Sequence, residues 1–358
     1  MLRFEELKQI HLEITNNCQA SCPMCSRNNH GGQENPLIKI NSWSIDDYKS
    51  IITRQVLDQI EGLYFCGNFG DPIINNDLID MCQYTTDSSP KTAIRIHTNG
   101  SARSVQWWKD LAKALPQDHR VVFALDGLED THHLYRIGTN FKTILKNAEA
   151  FISNGGKADW CFIKFRHNEH QVEEARALAE AMGFECFTVK NSSRFMGDPN
   201  FDVRDENGNI LYYLNPPTNN IIKFVDKQVI DNYKNIVAET EIDCYVKNNK
   251  EIYIDAYKKV FPCCWIASTP YNYTEADSYI FSIRKEIEAQ YYRLIDSLGG
   301  IDSLDATTRS LKDIINSNEY QTVWEHYWTD DKLITCARTC GKTDISKPKD
   351  QFVEVTKL

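Results

Sequence analysis

Three cysteines, Cys18, Cys22 and Cys25, have a C-x3-C-x2-C spacing, and five more stand at Cys244, Cys263, Cys264, Cys336 and Cys340; together they are eight of the chain's twelve. Thiolates bind soft metals, and three in one short loop can wrap a single metal centre. A four-iron cube held by three thiolates leaves one iron open to an exchangeable ligand, as a catalytic zinc keeps one position open. The same spacing also suits a zinc knuckle, or a closed cluster whose fourth Cys comes from elsewhere. Met1-Leu2-Arg3-Phe4-Glu5-Glu6 does not read as a secretory signal, so a reducing, cytoplasmic setting is expected and disulfides explain the cysteines poorly.

The elements that must position these groups follow from hydrophobic rhythm. Short apolar runs (Ile10–Ile14, Gly62–Cys66, Ala93–His97, Val121–Leu125, Cys161–Phe165 and Cys186–Val189) are strand-length and rich in β-branched or aromatic residues. Helical stretches separate them. One opens at Ser44 with Asp46 and Asp47 in its first turn, one spans Ser104 to Ala114, and one runs from His170 to Met182 and stops at Gly183. Six strand–helix repeats predict an α/β fold with a parallel sheet, open or a partial barrel. The C-x3-C-x2-C loop then follows the first strand at its carboxyl end, where such sheets bind ligands.

Residues 196–240 break the rhythm with turn signals and a hairpin over Val203–Leu214, turning at Asn207-Gly208; this reads as a linker. A second module is expected over 241–341, with a tail at 342–358. It would open with a hairpin (Glu251–Asp255 and Lys259–Phe261) and continue with two apolar stripes, Ile283 to Leu298 and Leu311 to Trp324, read as ordinary core.

The cysteine loop resembles the signature of the radical S-adenosylmethionine (radical SAM) superfamily. The resemblance implies a partial (β/α)6 TIM-like barrel over residues 1–195, with Cys18, Cys22 and Cys25 holding a 4Fe-4S cluster whose fourth iron binds SAM. Met24 would lie near the adenine. Cys66-Gly67-Asn68-Phe69-Gly70-Asp71-Pro72 resembles the family's Gly-Gly-Glu-Pro segment, with Asp71 in place of Glu and Asn68-Phe69 between the glycines; Gly67, Asn68, Gly70 and Asp71 become SAM-binding candidates. Thr98, Asn99, Asp126 and Arg136 follow from Thr98-Asn99-Gly100 and from Asp126-Gly127 with His132 and Arg136 downstream, a pattern similar to the peptide-modifying branch. Arg136 suits a carboxylate fork or a surface salt bridge, Asp126 a ribose or an Asx turn, and Thr98 and Asn99 could be turn residues. His132 and His133 read as a loop beside the site, and the spacing of His167 and His170 says little.

The Val260-Phe261-Pro262-Cys263-Cys264 hairpin resembles SPASM and twitch modules, although Lys258 stands where they carry glycine. This implies a small α+β domain in which Cys244, Cys263, Cys336 and Cys340 hold a second, auxiliary 4Fe-4S cluster. Structural zinc is the competing reading, and Cys264 is a spare neighbour or an alternative ligand. Cys66, Cys82, Cys161 and Cys186 read as buried thiols, with Cys66 and Cys161 as candidate hydrogen donors. The activity implied is reductive SAM cleavage followed by oxidation, cross-linking or epimerisation of a peptide. The alternatives are a small-molecule oxidase acting on a sugar, aminocyclitol or nucleoside, and a non-catalytic Fe–S or zinc scaffold. A flavodoxin or ferredoxin is the expected electron donor. With 40 basic and 50 acidic residues, a net charge of −10 argues against nucleic acid held by phosphate contacts, and no apolar run is long enough to span a membrane.

Overall fold

The computed structural model describes residues 1–116, 118–192, 194–195, 200–218, 232–272, 281–342 and 352–358. Six apolar runs form strands β1 (Gln9–Leu12), β2 (Gly62–Phe65), β3 (Ala93–Thr98), β4 (Arg120–Ala124), β5 (Lys157–Lys164) and β6 (Cys186–Asn191). Each pairs in parallel with the next. The intervening helices start and stop on their expected signals. Ser44 caps Ile45–Ile51 by accepting from the Asp47 N–H, Ser104 caps Val105–Ala114 from the Trp107 N–H, and Gly183 ends Val172–Met182 at φ +83°.

The residues of each strand alternate between two environments. Ile10, Leu12, Leu63, Phe65, Ile94 and Ile96 join the hydrophobic core. On the other face, aromatic contacts cross neighbouring strands: His11 to Tyr64 at 4.7 Å, Tyr64 to His97 at 4.8 Å and His11 to Tyr253 at 4.8 Å between centroids. This second face carries His11, Tyr64 and His97.

Three elements differ from the sequence expectation. The hairpin expected to open a second module, β9 (Glu251–Ile254) and β10 (Val260–Phe261), belongs to the barrel sheet, because β9 pairs in parallel with β1 along Gln9–Leu12. Ile252, Tyr253 and Ile254 are all buried, as a strand covered on both faces requires. The expected tail contributes β11 (Phe352–Lys357), antiparallel to β6, so the sheet order is β10-β9-β1-β2-β3-β4-β5-β6-β11. Among the described residues its two edges do not pair, so the sheet is an open barrel. The Leu311–Trp324 stripe belongs to two helices, Leu311–Ile315 and Asn318–Thr329, because Ser317 caps the second by accepting from the Tyr320 N–H. The hairpin at 203–214 forms as expected from β7 (Phe201–Arg204) and β8 (Ile210–Leu214), with Gly208 at φ +84°.

Candidate functional site

Cys18 lies beyond the carboxyl end of β1, on a loop pinned from both sides. The Ser21 N–H donates to the Ile137 carbonyl at 2.8 Å, and Cys25 N–H closes a turn on the Cys22 carbonyl at 3.0 Å. Gly138, at φ +80°, lets the loops touch, since a Cβ there would stand 2.9 Å from the Gln19 carbonyl. Cys22 and Met24 are buried in a small cluster with Ala20, Tyr135, Phe165, Phe195, Val203 and Leu214, against which Cys18 and Cys25 pack. The linker hairpin thus roofs the loop.

The charges and donors of the next strands converge on these thiols. Asn99, after β3, directs its amide Nδ2 to Cys18 Sγ at 3.6 Å, and the Ala20 N–H lies 3.4 Å from the same sulfur. Arg136 Nη1 lies 4.0 Å from Cys22 Sγ, while its Nε is held by the Asp126 carboxylate at 2.5 Å. Burial pushes the Cys22 thiol up to about 11, with the Arg136 guanidinium pulling the other way. Burial raises Cys18 further, and the nearby Asp71, Cys22 and Cys25 add to it. Thiols that burial holds protonated, as at Cys18 and Cys22, need a cationic centre beside them to become ligands. Among the described residues, no three His, Cys, Asp or Glu side chains stand together at single-ion spacing. The fit to a larger cluster rests instead on this donor set and on the Arg136 and Asn99 groups that face it.

The remaining candidates line the same rim. Asp71 is buried and accepts from the Asn99 N–H at 2.7 Å and the Ile73 N–H at 3.2 Å, so its carboxylate ties the second loop to the third. Gly70 is required where the chain passes Thr15, whose carbonyl would be 1.9 Å from a Cβ. Thr98 accepts from the Gly100 N–H, and the Asn99 Oδ1 accepts from Gln19 and from the Ser101 N–H. Asp126, fully buried, also accepts from the Ile163 N–H at 2.5 Å, so the Asp126–Arg136 pair is an interior one and not a surface bridge. His132 is a structural group beside it. Its Nδ1 accepts from the Asp126 N–H, its Nε2 meets Thr139, and burial lowers its pKa to about 3. Met24 Sδ lies 3.5 Å from Ser192 Oγ. Cys161 is buried and Cys66 half-buried, and the Lys190 ammonium bears on both.

The second set of cysteines forms another group. Cys244 and Cys263 stand at the N-caps of short helices, Tyr245–Asn248 and Cys264–Ala267, and Cys336 and Cys340 share one face of Ile334–Cys340. The Cys244 and Cys340 thiols meet, and the charges of Cys336 and Cys263 bear on Cys244. Cys336 is buried and the other three thiols are half-buried, a donor set of the kind that a fully ligated cluster or zinc takes. Cys264 turns elsewhere, toward Cys66 and Glu13 as well as Cys263.

Two features escaped sequence reading. Glu13, buried at 2% exposure, accepts from the Phe69 and Gly70 N–H groups at 2.8 and 3.1 Å and from the Tyr253 hydroxyl at 2.5 Å. The polar alternation His11, Glu13 was a visible signal of a lumen face, but not of these partners. The other feature is a row of buried donors on Asn318–Thr329, described below.

Residues 12–182 match the radical SAM superfamily. The chain is similar, at 22% identity over 98% of its length and 91% of the relative's, to the tungsten-containing aldehyde ferredoxin oxidoreductase cofactor-modifying protein of Pyrococcus furiosus. Among solved structures it resembles native anSMEcpe with bound AdoMet and Cp18Cys peptide (TM-score 0.53, 14% identity, 96% of this chain and 91% of that one). It also resembles native anSMEcpe with bound AdoMet alone (TM-score 0.51, 13% identity, 96% and 92%). Residues 12–182 thus form a radical SAM domain.

Proposed function

We propose that the chain cleaves SAM reductively and uses the product to oxidise, cross-link or epimerise a peptide, with Cys18, Cys22 and Cys25 holding a 4Fe-4S cluster. The observation that supports this most is the convergence of the Cys18–Cys25 loop with Arg136 and Asn99 at the carboxyl ends of parallel strands. The chemistry such a cluster supplies is one-electron reduction of SAM, giving methionine and a hydrogen-abstracting 5′-deoxyadenosyl radical. Arg136, oriented by Asp126, has N–H groups free of that carboxylate to fork onto the SAM carboxylate. Gly67, Asn68 and Gly70 supply close backbone approach for the SAM amino group, with Asp71, Thr98 and Asn99 fixing the loops. Met24, Tyr135, Phe165 and Phe195 exclude water around the adenosyl end.

Cys244, Cys263, Cys336 and Cys340 would hold an auxiliary 4Fe-4S cluster in a twitch-like module at 241–341, joined to the 1–195 barrel through 196–240. Such a cluster can take back an electron from substrate, which would make the net change an oxidation. A peptide substrate is supported by the solved relative that carries one. The name of the Pyrococcus relative favours a second reading, a small-molecule substrate of the cofactor kind.

Anaerobic reconstitution tests the proposal. Two cubes give about eight irons per chain, and SAM plus dithionite gives 5′-deoxyadenosine. Cys22→Ala abolishes cleavage and leaves about four irons. Zinc in place of iron, or iron without 5′-deoxyadenosine under any reductant, would leave the scaffold reading standing.

A further inference from the structure

Buried tryptophans and tyrosines normally find an acceptor for their N–H or O–H, and most of this chain's do. Trp43 Nε1 donates to the Asp255 carbonyl at 3.2 Å, Trp108 Nε1 to the Ala102 carbonyl at 3.0 Å and Trp160 Nε1 to the Leu125 carbonyl at 2.9 Å. The Tyr48 and Tyr253 hydroxyls are bonded as well. Among the described residues, three buried aromatic donors depart from this pattern: Tyr320 Oη, Trp324 Nε1 and Trp328 Nε1 have no hydrogen-bond partner there, and neither does Thr339 Oγ1.

These groups are not scattered. Tyr320, Trp324 and Trp328 stand four residues apart along Asn318–Thr329, on one face of the helix. They are 1%, 0% and 7% exposed, and they share a hydrophobic core with Cys336, against which Cys244 and Cys263 pack. The row adjoins the elements that carry the thiols: the Lys247 ammonium, on the helix that Cys244 caps, lies 5.5 Å from the Trp328 ring centroid, and the Leu333 N–H, at the N-cap of the helix bearing Cys336 and Cys340, donates to the Tyr327 carbonyl at 3.2 Å. Thr339 lies between Cys336 and Cys340 on their helix. A donor left unbonded in the interior is costly, so an acceptor in their midst is the simplest explanation.

We propose that Tyr320, Trp324 and Trp328 are hydrogen-bond donors to the sulfurs of an iron–sulfur cluster held by Cys244, Cys263, Cys336 and Cys340, and that they set its reduction potential. This rests on the function proposed above and extends it to residues outside the ligand set. N–H and O–H donors stabilise the reduced, more negative cluster more than the oxidised one, so they raise its potential. A single zinc ion brings no inorganic sulfide and has no potential to tune.

The test is a redox titration of the reconstituted full chain, followed by electron paramagnetic resonance, on Tyr320→Phe, Trp324→Phe and Trp328→Phe. Trp108→Phe serves as a control whose N–H already has a carbonyl. The expected result is full iron content with the second cluster's potential more negative in all three and unmoved in the control. In the Trp324→Phe/Trp328→Phe double variant, the ratio of reduced to oxidised cluster at fixed potential should fall about tenfold, which is 59 mV for a one-electron couple. Exchangeable-proton couplings to the cluster, measured in deuterated buffer, should weaken in the same variants. Tyr320→Phe removes one oxygen and keeps the ring, so it reads the effect even if an indole replacement fails to fold. Unmoved potentials and couplings in iron-replete variants overturn the assignment while the function stands. Zinc in the second thiol group of the wild type overturns the auxiliary cluster itself and the assignment with it.

Discussion

At the residue scale, Glu13 shows how one side chain sets the SAM-side loop. Its carboxylate gathers the Phe69 and Gly70 N–H groups on one oxygen and the Tyr253 hydroxyl on the other, and Asn68 Nδ2 continues the contact to the Cys264 carbonyl at 2.9 Å. Burial raises the Glu13 carboxyl, opposed by Tyr253 and the loop N–H groups. A hydrogen bond to a charged acceptor is worth about 1.5–3 kcal/mol. Tyr253→Phe should therefore loosen the loop without removing any group proposed to touch SAM. The expected outcome is a KM for SAM raised about tenfold with little change in kcat, read from 5′-deoxyadenosine formation; an unchanged KM would show that the loop holds its shape alone. The cysteines and Arg136 were legible in the sequence because a short-range motif carries them. Glu13 was not, because its partner Tyr253 is 240 residues away and only the parallel pairing of β9 with β1 brings them together. Trp324 looked like core for a similar reason: an indole in an apolar stripe reveals its unsatisfied N–H only once its neighbours are known.

At the element scale, the turn joining β9 to β10 carries two measurable strains. Lys258 occupies the left-handed region at φ +67°, where a side chain costs roughly 1–2 kcal/mol, and its ammonium pairs with Asp47 at 3.1 Å. The sequence showed the departure from glycine; the structure shows that the turn keeps glycine's conformation regardless. Lys258→Ala loses the ion pair and keeps the strain, whereas Lys258→Gly relieves the strain. The glycine variant should be the more stable of the two by about 1 kcal/mol in urea unfolding, and equal midpoints would mean that the backbone relaxes instead. In the same turn Asp255 accepts from the Tyr257 and Lys259 N–H groups, yet burial raises its pKa from 3.8 to about 7. A carboxyl with a raised folded-state pKa binds more protons folded than unfolded, so its contribution to stability falls as pH climbs from about 4 through about 7. Asp255→Asn keeps an acceptor oxygen and removes the titration. The variant should match the wild type near pH 4 and exceed it near pH 8, by a few kcal/mol at most. A pH-independent difference would assign the effect to packing.

At the scale of the whole molecule, one sheet carries both thiol groups at opposite ends of neighbouring strands. Cys18 leaves the carboxyl end of β1. Cys244 leads toward the amino end of β9, and Cys263 follows β10, which returns antiparallel to that same end. The strand–helix repeats made the six-stranded core readable, and the Cys spacing made a second thiol group readable. Composition shifts suggested a boundary near residue 241, but they carry no information about which edge a later strand will join. Because β9 covers the edge of β1 along Gln9–Leu12, a fragment ending before it exposes those backbone groups beside apolar Ile10 and Leu12. Unpaired, flat, apolar edges recruit other chains. Residues 1–240 produced alone should elute as soluble aggregates or remain insoluble, whereas the full chain handled identically should elute as a single defined species. Replacing Ile10 with Lys should not rescue the fragment, because Ile10 also packs in the core. A well-behaved 1–240 fragment that binds SAM as tightly as the full chain would show instead that the barrel closes its own edge and that Glu251–Phe261 only decorates it.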